Sequence, residues 1–331
     1  MSKLPRVVVT DLIPEPLECE RRVLNGHADV IALDIKHQAE LDGQLDNADA
    51  VMIYHYLRLG REQIERLRQC KVIVRPGVGY DNIDIVAARE RGIPVCNVPD
   101  YGTEEVADSA LGMALTLARG THFLNSRLRR GVGAWNVDQA TPIQRLRGRV
   151  FGLVGCGRIG AAAALRAKAF GFDVVIYDPP LRDGVEKTLG VRRVDSLEAL
   201  LRQSHILSLH CPLTPQTRNM IGAAELALLP AGAIIVNTAR GGVVDTDAVV
   251  ASLANGHLTG AGIDVLEQEP PPEDSPVLRA WRDPAHPAHD RLLLNPHTAF
   301  YCEQGCDEFR TKGALEVLRA LQGRPLRNQV S

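Results

Sequence analysis

A chain of 331 residues with 45% hydrophobic and 24% charged side chains has the composition of a globular protein long enough for two domains. Its formal charge of −2 offers no global attraction to nucleic acid or to an anionic membrane, so neither is expected as a direct partner. Seven cysteines (Cys19, Cys70, Cys96, Cys156, Cys211, Cys302 and Cys306) without CxxC or zinc-type spacing predict packing thiols in a reducing cytoplasm and no metal site, while the absence of a signal-type h-region and of any transmembrane-length apolar run predicts neither secretion nor membrane spanning.

The first hundred residues or so alternate short apolar runs with helical stretches. Strands are predicted over Val7 to Thr10, Ala50 to Tyr54, Val72 to Val74 and Pro94 to Asn97, with helices over Arg61 to Arg68 and Ile83 to Arg91, the latter stopped by Gly92. Thr103 has the hydroxyl to cap the next helix, with Glu104 and Glu105 well placed in its first turn. Val106, Ala110, Leu111, Ala114, Leu117 and Ala118 recur at helical spacing there. Their small size fits a helix that crosses between domains, packs on a second subunit, or lies in a core. From Arg149 the alternation returns more strongly as VFGLV, DVVIY, HILSL, AIIVN, GAGID and RLLLN, separated by helices such as Ser196 to Gln203 and Thr246 to Ala254; a last helix runs from Glu303 to Leu321.

Gly155, Gly157 and Gly160 form GxGxxG directly after the strand Val150 to Val154 and directly before a helix starting near Arg158. The first glycine permits a tight turn, the second lets backbone approach a pyrophosphate, and the third lets helix and strand pack, while the helix N-terminus favours an anion. Eighteen residues after Gly160, the next strand ends in Asp178, whose carboxylate suits ribose hydroxyls and repels a 2′-phosphate. NAD is therefore predicted over NADP, although Arg182 nearby is the kind of residue a phosphate recruits.

Three charged residues follow at predicted strand ends: Arg240 in NTARGG, Glu269 in DVLEQEP and His297 in NPHTA. A guanidinium pairs with a substrate carboxylate and polarises the adjacent C=O. A histidine backed by a carboxylate donates a proton as hydride reaches carbon. Taken singly, each residue has an ordinary structural explanation.

These motifs together resemble the D-isomer-specific 2-hydroxyacid dehydrogenase family over essentially the whole chain. The resemblance implies two doubly wound α/β parallel-sheet domains, a Rossmann NAD-binding domain of residues 102–297 inserted into a flavodoxin-like substrate domain of residues 1–101 and 298–331. It implies Arg240 as substrate binder, Glu269 as partner of the histidine and His297 as acid/base, acting on a small 2-keto or 2-hydroxy acid. Gly77, Val78 and Gly79 match the family's substrate-carboxylate loop, with Arg75 as a second cation beside it, and Phe300 is expected to wall the substrate. For the cofactor it implicates Thr103, Arg158, Ile159, Cys211, Pro212, Thr217, Thr238, Ala239, Arg240, Asp264 and His297 beside the glycines and Asp178.

Within the family the likeness is greatest to the C-terminal-binding proteins, the NAD(H)-binding corepressors, through MIYH, CNVP and RAKAFGFDVVIYDP. Phe300 stands where they carry tryptophan, and the segment Pro270 to Arg291 is longer than theirs. An NADH-gated corepressor-like binding protein is accordingly the alternative to a metabolic enzyme; a homodimer is expected for either. A formate dehydrogenase is disfavoured, since that relative has glutamine where Glu269 stands. His286 and His289 are read as a mobile polar loop, His205 and His210 as satisfied structural histidines, and Tyr54 with His55 as a strand-end pair open to either a structural or a substrate-lining role. Cys302 and Cys306 are read as packing residues, and the arginines from Arg127 to Arg130 as a solvated face.

Overall fold

The computed structural model describes residues 3–140 and 142–330. The chain divides into two units, one of Met1–Gly102 with Tyr301–Ser331 and one of Thr103–Phe300, so the second interrupts the first in sequence.

The first unit carries a five-stranded sheet of β1 (Arg6–Val9), β2 (Asp29–Ala32), β3 (Ala50–Met52), β4 (Val72–Arg75) and β5 (Val95–Asn97). The strands are all parallel in the order β2-β1-β3-β4-β5. Val7 to Val9 and Ala50 to Met52 are wholly buried, as strands covered on both faces must be. Asp29–Ala32 escaped prediction because it is a short strand with an exposed first residue. The helix Glu303–Leu321 packs on Glu18–Leu24 through a buried ion pair: Arg310 Nε and Nη2 donate to the two carboxylate oxygens of Glu20 at 2.8 and 2.7 Å. The Tyr54 hydroxyl donates to the same carboxylate at 3.2 Å and Tyr54 is 1% exposed, so Tyr54 is a core residue, not a pocket wall.

The second unit carries a seven-stranded sheet of β6 (Val150–Val154), β7 (Asp173–Tyr177), β8 (Arg192–Arg193), β9 (Ile206–Leu209), β10 (Ala233–Asn237), β11 (Leu258–Ile263) and β12 (Leu292–Leu294). Every pairing is parallel, in the order β12-β11-β10-β9-β6-β7-β8. The direction of winding reverses between β6 and β9, and open sheets of this kind bind ligands beyond the carboxyl ends of the strands at that point. The expected fold class is thus the observed one.

The long helix Thr103–Arg119, which begins at Thr103 itself, belongs to the core of this unit. Methyl groups added at Gly262 and Gly260 would lie 2.9 Å from Met113 Cβ and 3.0 Å from a Leu117 methyl, so small residues let this helix lie against β11. Of the three uses open from its periodicity, the core accounts for its apolar face. The next helix, Thr121–Arg129, buries no residue, and Trp135 and Val137 beyond it are 89% and 75% exposed. Arg127 and Arg130 on that stretch both reach Asp290, at 3.4 and 3.2 Å.

Candidate active site

All seven strands of the second unit run the same way, so the segments that leave them lie along one edge of the sheet. The glycine loop leaves β6. Gly155 has φ of 88°, and a Cβ there would sit 2.7 Å from the His210 carbonyl oxygen. A Cβ on Gly160 would sit 2.3 Å from the Gly155 carbonyl oxygen, which is the close helix-to-strand approach expected of the third glycine. Gly157 differs: it is exposed and a Cβ there would meet nothing within 4 Å. It precedes the twelve-residue helix Arg158–Ala169, and with no side chain to cap that helix it leaves the first-turn N–H groups without an intrahelical acceptor.

Asp178, directly after β7, accepts the Cys156 N–H on Oδ2 at 2.7 Å and so ties this carboxylate to the glycine loop. Two buried polar atoms further along the edge have no hydrogen-bond partner among the described residues: Thr238 Oγ1 after β10 and His210 Nδ1 after β9. Buried orphans of this kind are uncommon in a finished core, and they fit a polar ligand lying across the strand ends. His210 therefore departs from the expected satisfied histidine. Its Nε2 lies 2.9 Å from Ser208 Oγ, and burial lowers its pKa to about 4. His205 does meet that expectation, its Nδ1 accepting the Val150 N–H at 3.2 Å. Thr217 folds its own turn, donating to the Pro212 carbonyl at 2.6 Å, and burial pushes the Cys211 thiol up to about 11.

The charged residues stand on the next three connections. After β10, the Asn237 side chain accepts the Ala239 N–H at 3.0 Å and donates to the Arg240 carbonyl at 2.9 Å, closing the turn that presents Arg240. A Cβ on the following Gly241 would lie 1.9 Å from the Leu266 carbonyl carbon, so this turn rests directly on the segment leading to Glu269. Glu269 Oε1 accepts the Leu266 N–H at 2.8 Å, and its Oε2 lies 2.6 Å from His297 Nδ1. His297 has φ of 53°, a left-handed conformation that costs a non-glycine residue on the order of 1 kcal/mol or more. It is held by the bond from its own N–H to the Asp264 carbonyl at 2.8 Å and by the Asp264 carboxylate, which accepts the N–H groups of Thr298 and Ala299. Burial raises the Asp264 pKa, against those donors and the His297 charge, which favour the ionised form. Phe300 packs edge-on against His297, with ring centroids 6.1 Å apart.

In the first unit, the Gly77 N–H donates to the Arg75 carbonyl at 2.7 Å, and the Arg75 guanidinium folds over Gly77 so closely that any Cβ there would overlap it. Asn97 Nδ2 donates to the Val78 carbonyl at 2.7 Å, holding the loop. His55 follows a turn tied to the buried Asp11 carboxylate, which accepts the N–H groups of Tyr54, His55 and Tyr56 at 2.9, 2.7 and 2.5 Å. The support given by Asp11 and Asn237 escaped sequence reasoning; an Asp or Asn at the end of an apolar strand is the available signal. His286 and His289 are engaged locally, with the Ala288 N–H and the Trp281 carbonyl. Cys302 Sγ accepts the Gly305 N–H at 3.0 Å as the cap of the last helix.

A doubly wound parallel sheet with a glycine loop at its switch point and a carboxylate after the second strand defines a dinucleotide-binding protein. The family model for the NAD-binding domain of D-isomer specific 2-hydroxyacid dehydrogenases matches residues 111–299, and the chain belongs to that family. C-terminal-binding protein 1 of Caenorhabditis elegans is 36% identical over 92% of this chain and 42% of its own length. D-3-phosphoglycerate dehydrogenase of Methanocaldococcus jannaschii is 35% identical over 98% of this chain and 60% of its own. The chain thus spans less than two thirds of these relatives. A glyoxylate reductase structure from Paecilomyes thermophila superposes with a TM-score of 0.85 at 28% identity, covering 100% of this chain and 99% of that one.

Proposed function

We propose that the protein is an NAD-dependent D-2-hydroxyacid dehydrogenase that reduces a small 2-keto acid. The observation that carries this reading is the His297–Glu269 pair at 2.6 Å, in a chain whose glycine loop and Asp178 suit NAD. When bound, the dinucleotide supplies the hydride that C2 of the keto acid receives. Gly157 and the start of the helix Arg158–Ala169 hold its pyrophosphate, Asp178 its adenosine ribose, and the segments around Cys211, Pro212, Thr238, Ala239 and Asp264 the remainder. Arg240, presented by the Asn237 turn, pairs with the substrate carboxylate and draws electron density from the carbonyl oxygen. Arg75 and the loop Gly77 to Gly79 add carboxylate binding by resemblance. With Nδ1 engaged by Glu269, His297 passes its proton to the carbonyl oxygen through Nε2, completing the alcohol as the C–H bond forms. Phe300, edge-on to that ring, limits the substrate's side chain.

The test is a screen of glyoxylate, pyruvate, hydroxypyruvate and bulkier 2-keto acids with NADH. Turnover of at least one, to the D-hydroxy acid, is expected; none across the set, with NADH bound, overturns the enzyme reading. Likeness to the worm C-terminal-binding protein favours one second reading, an NADH-gated binding protein that retains the dehydrogenase site. NADH-dependent capture of a partner without keto-acid turnover is its signature.

The proposed homodimer rests on the segment from Thr121 to Ala140, whose helix buries nothing and whose Trp135 is 89% exposed, an unusual state for tryptophan. Trp135→Asp is expected to shift sedimentation from dimer to monomer. All seven cysteines are free thiols, which fits the proposed cytoplasmic location, and no helix among the described residues is long and apolar enough to cross a membrane.

A further inference from the structure

The Asp178 carboxylate favours NAD, and Arg182 nearby is the kind of residue that a phosphate would recruit. The second unit holds another arginine at the same strand end. Arg193, in the edge strand β8, pairs in register with Ile176 of β7. Its Nη2 donates to the Asp178 carbonyl at 3.1 Å and to the Pro179 carbonyl at 3.5 Å, and its Nη1 to Asp183 Oδ1 at 3.2 Å. The side chain is 22% exposed, so the guanidinium is held against the residue whose carboxylate faces the ribose-binding turn.

Two features separate this cation from Arg182. Carbonyl oxygens orient a guanidinium without neutralising it, and its one carboxylate partner, Asp183, is fully exposed at 103%, where water and salt screen the pair. Arg193 therefore keeps most of its positive field beside the end of β7. Arg182 is exposed, with no side-chain hydrogen bond or ion pair among the described residues, so a ligand would have to order it. A preset cation is of little use to a ribose 2′-hydroxyl, which Asp178 already serves; a 2′-phosphate is the group that gains from it.

We propose that Arg193 is a second determinant of cofactor choice: a cation preset at the end of β7 that gives the site measurable affinity for a 2′-phosphorylated dinucleotide, held in check by the Asp178 carboxylate. The proposal rests on the dinucleotide reading above. Asp178 and Arg193 then form an opposed pair, one repelling the phosphate and one attracting it, and selectivity between NADH and NADPH follows the balance between them.

The experiment is calorimetric titration of the full chain with NADH and with NADPH, without substrate. Asp178→Asn keeps an oxygen for the Cys156 N–H while removing the charge, and is expected to strengthen NADPH binding about tenfold or more. Adding Arg193→Ala to that variant should abolish the gain, weakening NADPH about tenfold more than NADH, whereas Arg193→Lys should retain most of it. In the otherwise natural chain, Arg193→Ala should widen the preference for NADH. A gain in Asp178→Asn that persists in the double variant, or no gain at all, overturns the proposal. Failure of the natural chain to bind NADH overturns the dinucleotide reading itself, and this proposal with it. Thermal unfolding of each variant separates lost binding from lost folding.

Discussion

Nδ1 of His297 lies 2.6 Å from Oε2 of Glu269, while the other oxygen of that carboxylate is fixed by the Leu266 N–H at 2.8 Å. The carboxylate is thus anchored by backbone on one side and orients the imidazole on the other, an arrangement that sets which ring nitrogen exchanges a proton. His297→Asn is expected to lower turnover by about two to four orders of magnitude, the range for a lost general acid, with NADH affinity within a few-fold. Steady-state kinetics with intact turnover would remove His297 from the chemistry.

Glu269→Gln makes a sharper test of the pair. Glutamine still accepts the Leu266 N–H through Oε1 but presents no charge to the imidazole. Turnover should fall by roughly one to three orders of magnitude with a smaller effect on KM, because the loss lies in orienting and charging the ring rather than in binding substrate. Combined with His297→Asn it should add little. Full additivity of the two losses would mean that Glu269 acts independently of the histidine.

The three glycines of the loop do different work, and the structure separates them. An alanine at 155 or 160 drives a methyl group to 2.7 or 2.3 Å from a backbone oxygen, whereas at 157 it meets nothing within 4 Å. Gly155→Ala and Gly160→Ala should therefore lower the midpoint of thermal unfolding, each by the equivalent of about 1–3 kcal/mol. Gly157→Ala should leave that midpoint nearly unmoved and weaken NADH binding. A Gly157→Ala protein with normal NADH affinity would show that the pyrophosphate does not approach this backbone.

What was legible in the sequence was whatever rests on local periodicity or on a motif with its own backbone logic. The glycine loop, the helices Thr246–Ala254 and Glu303–Leu321, and the charged residues at strand ends stand where the chain order predicts them. The use of a face was not legible. Small residues along Thr103–Arg119 fit three partners equally, and only the position of Gly260 and Gly262 opposite Met113 and Leu117 selects the core. The same holds for Tyr54, whose hydroxyl is claimed by Glu20, a partner 34 residues away in the chain, and Asp264, whose carboxylate is engaged by the loop bearing His297. Partnerships of this kind are set by tertiary packing, and periodicity does not encode them.

His210 supplies a prediction for pH. Its backbone sits against the glycine loop, and burial depresses its pKa from 6.5 to about 4, so the folded chain holds the ring in the neutral form. The unfolded chain takes up the proton first as pH falls. The stabilisation associated with the neutral ring is therefore fully present above about pH 6.5, the ordinary histidine value, and is lost as pH falls toward 4. Each pH unit inside that window costs about 1.4 kcal/mol, so the loss between pH 7.5 and 4.5 is on the order of 2–3 kcal/mol. His210→Gln retains a partner for Ser208 and carries no titrating group. Subtracting its unfolding free energy from that of the natural chain cancels the other ionisations, and the difference should shift against the natural chain by that amount between the two pH values. Parallel curves from denaturant titrations at pH 7.5 and 4.5 would mean that the His210 ring is hydrated well enough to ionise in the folded state.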